Sequence, residues 1–353
     1  MPEAWKPLRI LIIKLSSLGD VLHGIPVVSA LRKNLPDARI SWLVSNSFAP
    51  VVSMVPGVDR IYGFDREAFR RFRALPASLR RLRALIKELQ TARFDVVIDL
   101  QCLLRSALFA FAAKVPVRIG LDNAREGARF FYTQAVPVAG KNLHAVDQNL
   151  AVLPYILPDA VPVTPDFTLA VPDGAAKTMR QVLRQSGVEK PYALLLPGAR
   201  WASKIWPAAH FRQLASELAA SRKLPVVVAG GVAEKKDWAT FRAQGVTSLI
   251  GQTSLEELAA LVQGAAFLVT NDSGPMHLGA CFNKRVLVLM GPTRPEKTGP
   301  YNAPEILQKK LPCVPCLRRI CPRRDVPMEC LTTLLPGEVL ARLQALQWVV
   351  PDA

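Results

Sequence analysis

Twice along this chain an apolar, strand-like run ends in a small polar loop that opens a helix. The later copy, residues 266–294 (AFLVTNDSGPMHLGACFNKRVLVLMGPTR), constrains the fold most. Phe267–Thr270 is short, apolar and rich in β-branched or aromatic residues, as a strand buried on both faces requires. Asn271, Asp272, Ser273 and Gly274 break the run, and any of the first three suits a helix N-cap. The helix that follows carries Met276, His277, Leu278, Ala280 and Cys281 and ends at Asn283. Arg285–Met290 is a second buried strand, closed by Gly291-Pro292-Thr293. Open α/β sheets bind ligands at the carboxyl ends of their strands. A helix start there offers free N–H groups and a positive dipole end, which suits a phosphate. The same residues also fit an ordinary strand–helix–strand unit with a capping Asp.

The earlier copy is Leu8–Leu15, followed by Ser16-Ser17-Leu18-Gly19-Asp20 and a helix to about Asn34. Neither the G-x-G-x-x-G fingerprint nor a Walker loop is present. Asp20 reads as a site carboxylate or as a partner of the helix dipole. Strands are expected at Ala38–Ser45, Arg60–Asp65, Asp95–Leu100 and Val117–Leu121, with helices between them, one at Pro76–Gln90. Tyr192–Leu196, Pro225–Ala229 and Ser248–Gly251 repeat the pattern after a Pro-rich linker at Leu157–Phe167. Such alternation predicts doubly wound parallel sheets. The expected class is α/β, with two Rossmann-like domains, residues 1–160 and 161–335, facing across a cleft. A last amphipathic helix in 336–353 is expected to pack back on the first domain. Lys204 falls in the loop after Tyr192–Leu196, and Glu234 follows the strand ending in Gly230-Gly231. Ser254 with Glu257 forms a capping box.

With 45 Lys+Arg against 28 Asp+Glu, the formal net charge of +17 predicts an anionic partner. Aromatic residues are only 7%, without the basic–aromatic interleaving of a single-strand binder, so nucleic acid is not expected. Arg66, Arg70, Arg71 and Arg73, interleaved with Phe69 and Phe72, suit an anionic membrane surface, and equally an amphipathic turn. No apolar run approaches the ~20 residues of a transmembrane helix. Leu11–Ile13, stopped by Lys14, is too short for a signal-peptide core, so a cytoplasmic protein is expected. Of the six Cys, Cys313, Cys316, Cys321 and Cys330 cluster. In a reducing cytosol they suggest a structural zinc or free thiols before disulfides.

Four segments together carry a family resemblance. They are Lys14–His23 (KLSSLGDVLH), Asp99–Ser106 (DLQCLLRS), Lys204-Ile205-Trp206-Pro207 and Asn271–His277 (NDSGPMH). In this order, over roughly residues 8–345, the chain resembles the heptosyltransferases of lipopolysaccharide core assembly. The first-domain motifs look most like the members that add the first heptose. Gly198-Ala199-Arg200, Asn271–Gly274 and the Cys cluster look more like second- and third-heptose members. The resemblance implies a glycosyltransferase B fold and inverting transfer of heptose from ADP-heptose to Kdo-lipid A, with no required cofactor. It implies Asp20 as general base and Lys204 as the neutraliser of donor phosphate. Asp272, Ser273, Gly274 and His277 then form the donor loop, and Glu234 holds the adenosine. Ser17, Gly19, Gln101, Arg70, Arg71, Arg73, Arg125 and His144 would meet the acceptor. The location implied is the cytoplasmic face of the inner membrane. A non-catalytic nucleotide- or lipid-binding protein with the same fold is the rival class.

Overall fold

The computed structural model describes residues 7–65, 75–140, 143–158, 164–189, 191–222, 224–301 and 305–349. The chain forms two compact units, Met1–Ala170 and Val171–Ala353. The first contains strands β1 (Arg9–Ile13), β2 (Arg39–Ser45), β3 (Arg60–Phe64), β4 (Val96–Asp99), β5 (Val117–Leu121) and β6 (Gln134–Val136). Among the described residues they make one parallel sheet in the order β3-β2-β1-β4-β5-β6. The second unit contains β7 (Ala193–Leu196), β8 (Val226–Gly230), β9 (Val246–Ile250), β10 (Phe267–Asn271), β11 (Arg285–Met290) and β12 (Glu305–Gln308). Their order, β12-β11-β10-β7-β8-β9, is the same winding read from the other edge.

Central strands are the apolar ones. Ile10–Ile13 and Phe267–Val269 are essentially inaccessible because helices cover both sheet faces. Each such side chain contributes roughly 1.5–3 kcal/mol. The edge strands β6 and β12, not foreseen in the sequence, are short and half-exposed, so no apolar run announces them.

The first helix differs from expectation. It breaks into Leu18–Leu22 and Ile25–Asn34 around His23-Gly24. Pro26 has no N–H to offer the preceding turn, so the ladder restarts there. The first unit also extends past residue 160: Phe167 and Leu169 are buried, and Ala170 N donates to Met54 O at 2.7 Å. The last helix, Pro336–Ala345, falls within the second unit. It lies on the helix Ala208–Arg222, and its Val339 and Leu343 join the core of Trp206, Phe211 and Leu214. No helix among the described residues is long and apolar enough to cross a membrane.

Candidate active site

In each sheet the strand order reverses between the two central strands, and there the adjacent loops part. In the first unit the switch point lies between β1 and β4. Lys14, at the end of β1, is buried, and its Nζ donates to Leu100 O. Ser16 N donates to Gln101 Oε1 at 3.0 Å, tying the β1 loop to the β4 loop. Asp20 Oδ2 accepts from Ser17 N at 2.7 Å and Ser17 Oγ at 2.8 Å. The loop is therefore set by its own residues, and the carboxylate stands half-buried at the helix start. Gly19 is buried in the same turn.

Below this loop Asp99 is fully buried and accepts from Gln101 N at 2.9 Å, Cys102 N at 3.1 Å and Tyr132 Oη at 2.8 Å. Burial pushes its carboxyl above the ordinary carboxylate range, while these bonds pull the other way. Burial and the neighbouring Asp99 push the Cys102 thiol up to about 12, so it is inert. A Cβ on Gly120 would stand 2.2 Å from the Tyr132 ring, so that position admits only glycine beneath the support.

Other acceptor residues expected from the sequence fall around this loop. Arg125 N donates to Cys102 O at 3.0 Å, and the Arg125 side chain is exposed. His144 caps the helix Ala145–Leu150, and its ring meets His23 edge-on at 5.3 Å. Arg70, Arg71 and Arg73 lie outside the described residues.

In the second unit the switch point lies between β7 and β10. Lys204 Nζ pairs with Asp272 Oδ2 at 2.7 Å, with the two side chains 16% and 4% exposed. Thr293, from the end of β11, donates its hydroxyl to the same oxygen. Lys204 Nζ also stands 4.7 Å from the Trp201 ring centroid, which Arg319 approaches at 5.4 Å. The capping role open to Asp272 in the sequence is thus not the one it takes. Ser273 occupies the N-cap of Gly274–Cys281, and its Oγ is buried with no hydrogen-bond partner among the described residues. A buried hydroxyl at a helix start is a donor awaiting an acceptor. His277 is buried within the first turn and a half of that helix. The Glu234 carboxylate packs against Gly198, Gly230 and Gly231, where added Cβ atoms would come within 3.0–3.3 Å of it. It stands half-buried at the carboxyl ends of β7 and β8.

Asn271 holds the two halves of this site in register. Fully buried, it accepts from Trp206 N at 3.0 Å and donates to Pro197 O at 2.6 Å, so one amide ties β10 to both ends of the Lys204 loop. Asn271→Leu leaves two buried backbone groups unpaired, each worth about 1–3 kcal/mol. Urea unfolding is expected to show a loss of about 2–4 kcal/mol. A variant as stable as the wild type would contradict this role. Asn271, Thr293 and Trp201 were not singled out as site residues from the sequence. The signal for Thr293 was its place at the end of the strand beside β10.

The four clustered cysteines line one cavity of about 30 Å³ together with Ser203, Pro292 and Met328. Burial and the three other thiols raise Cys330 to about 11. Among the described residues no three His, Cys, Asp or Glu side chains stand in a metal-holding arrangement. The cysteine loop is tied to the Lys204 loop directly: Ser203 Oγ donates to Arg318 O at 2.6 Å.

A family model described as glycosyltransferase family 9 (heptosyltransferase) matches residues 82–326. The chain is 33% identical to lipopolysaccharide heptosyltransferase 1 of Pseudomonas aeruginosa, over 96% of this chain and 98% of that protein. Lipopolysaccharide heptosyltransferase 3 of Escherichia coli is 30% identical, over 78% of this chain and 81% of that one. Among solved structures, E. coli heptosyltransferase WaaC with ADP matches with a TM-score of 0.77 and 26% identity, over 96% of this chain and 99% of that chain. WaaC with ADP-2-deoxy-2-fluoro heptose matches with a TM-score of 0.76 and 26% identity, over the same shares. The two parallel sheets are those of a glycosyltransferase B fold. With the model spanning parts of both units and a curated relative matched almost end to end, the chain belongs to glycosyltransferase family 9, the heptosyltransferase family.

Proposed function

We propose that the protein transfers heptose from ADP-L-glycero-D-manno-heptose to the Kdo of Kdo-lipid A, the first heptose of the lipopolysaccharide core, inverting the anomeric carbon. The observation that carries the donor half is the second switch point, where Lys204, Asp272 and the unpartnered Ser273 hydroxyl gather at a helix N-terminus. That is an arrangement for a diphosphate, and the relative WaaC has been solved with ADP. In this reading Asp20 accepts the proton of the acceptor hydroxyl, whose oxygen bonds the anomeric carbon. The carbon–oxygen bond to ADP breaks, and Lys204 with the helix N-terminus meets the charge left on the diphosphate. Glu234 takes the adenosine. Ser17, Gln101, Arg125 and His144 face the acid and phosphates of the acceptor. The reading includes a cytoplasmic, peripheral location and a reaction that needs no metal.

The test is ADP release from ADP-heptose against a panel of other nucleotide sugars, with and without Kdo-lipid A. Release that requires both ADP-heptose and the acceptor is expected. Release with an acceptor already carrying one heptose, and not with Kdo-lipid A, would move the assignment to a later core position. No acceptor-dependent release with any donor would favour the non-catalytic class.

A structural zinc at Cys313, Cys316, Cys321 and Cys330 is proposed separately. Its support is that four thiols share one cavity in a loop too rich in Pro and Arg to build its own core. Elemental analysis of protein purified without chelator is expected to give about one equivalent of zinc per chain, the occupancy of a single four-thiolate site. Four titratable thiols and only a trace of metal would leave free thiols.

A further inference from the structure

The helix Leu104–Ala112 turns two unlike faces outward and inward. Ser106, Ala107, Phe109 and Ala110 are buried, whereas Leu104, Leu108 and Phe111 are exposed. The exposed three are spaced by four and three residues, which puts them in one stripe along the helix. Beside them packs the turn Ala128–Phe131. There Phe131 meets Phe111 edge-on at 5.7 Å, while Phe130 is 90% exposed. Arg118 fixes this corner: its Nε donates to Phe131 O at 2.8 Å, and its guanidinium lies 5.7 Å from the Phe111 ring centroid. An apolar surface held in place yet left in water marks an interaction site.

We propose that this face docks the protein on an anionic lipid bilayer, with Phe130, Phe111 and Leu108 entering the interface. Charge selects that occupant. Residues 104–131 carry five Lys or Arg against two Asp or Glu, in a chain of net charge +17. Arg105 and Arg129, both exposed, flank the apolar stripe. Large apolar tips between basic side chains fit the headgroup boundary of an acidic membrane. The stripe also begins three residues after Gln101, which holds Ser16 of the Asp20 loop. A lipid-linked acceptor in that bilayer would present its sugar beside the proposed base. In that respect the inference rests on the acceptor assigned above, although docking itself does not require it.

The test is sedimentation with vesicles of phosphatidylcholine alone or mixed with phosphatidylglycerol, free of any acceptor. Wild-type protein is expected to partition onto the anionic vesicles, and less so as salt rises. Phe130→Ser is expected to weaken partition roughly tenfold, and Leu108→Ser with it further. Phe130→Trp should retain it, and Arg105→Gln with Arg129→Gln should flatten the salt dependence. Turnover of an acyl-free Kdo acceptor should be unchanged in the Phe130 and Leu108 variants. Anionic-vesicle binding equal in wild type and Phe130→Ser, or absent from both, overturns the proposal. So does a dimer in analytical ultracentrifugation that Phe130→Ser dissolves without altering vesicle binding, which would name a second copy as the occupant. If no Kdo acceptor is turned over while vesicle binding follows the variants, the assigned reaction fails and the docking surface stands.

Discussion

Asp20→Asn is expected to lower kcat by roughly 10²–10⁴-fold, the usual contribution of a positioned general base. ADP-heptose affinity and folding should be preserved. The substitution isolates basicity, because among the described residues the carboxylate's hydrogen bonds are those it accepts from Ser17 N and Ser17 Oγ. An Asn carbonyl oxygen accepts the same two bonds. The loop should therefore keep its shape while losing the group proposed to take the proton. Steady-state turnover with acceptor saturating, beside a thermal unfolding trace, measures both. Turnover within a few-fold of wild type in a folded variant would remove Asp20 from the chemistry.

Lys204→Ala is expected to produce two separable losses. The first is structural. Asp272 is 4% exposed and would be left with Thr293 as its described side-chain partner. Breaking a buried ion pair from one side destabilises by about 3–5 kcal/mol. The second is functional, since a charge-assisted contact to the diphosphate is worth about 1.5–3 kcal/mol, or roughly ten- to a hundredfold in donor affinity. Combining Lys204→Ala with Asp272→Asn removes the stranded charge and is expected to recover most of the stability without recovering ADP binding. Calorimetric titration with ADP beside urea unfolding separates the two. Unchanged ADP affinity in the double variant would show that Lys204 serves the fold alone.

The strands were legible where burial on both faces forces continuous apolar runs, as in Ile10–Ile13 and Phe267–Val269. They were illegible at β6 and β12, which sit at sheet edges and need no such run. The capping box of Ser254 and Glu257 was readable because it is local: Glu257 N donates to Ser254 Oγ at 3.1 Å. The pairing of Lys204 with Asp272 was not, since it depends on β7 and β10 lying side by side from distant parts of the chain. From sequence alone Asp272 could equally cap a helix. The strand order puts a lysine beside it, and the helix start falls to Ser273. Asn271 was misjudged for a related reason: its amide serves two backbone groups on another strand's loop, a use that no spacing rule encodes. The last helix was legible as amphipathic, but such a pattern specifies a buried face without naming that Trp206, Phe211 and Leu214 share its core.

The most direct test of the single-displacement account is the anomeric configuration of the new linkage, read by nuclear magnetic resonance. The product would be made from ADP-heptose of defined configuration and Kdo-lipid A, and confirmed by mass as one added heptose. A single displacement, in the proposed roles of Asp20 as base on the acceptor oxygen and Lys204 as partner of the departing diphosphate, predicts inversion. Retention of the donor configuration would require two displacements and contradict the roles assigned to both residues.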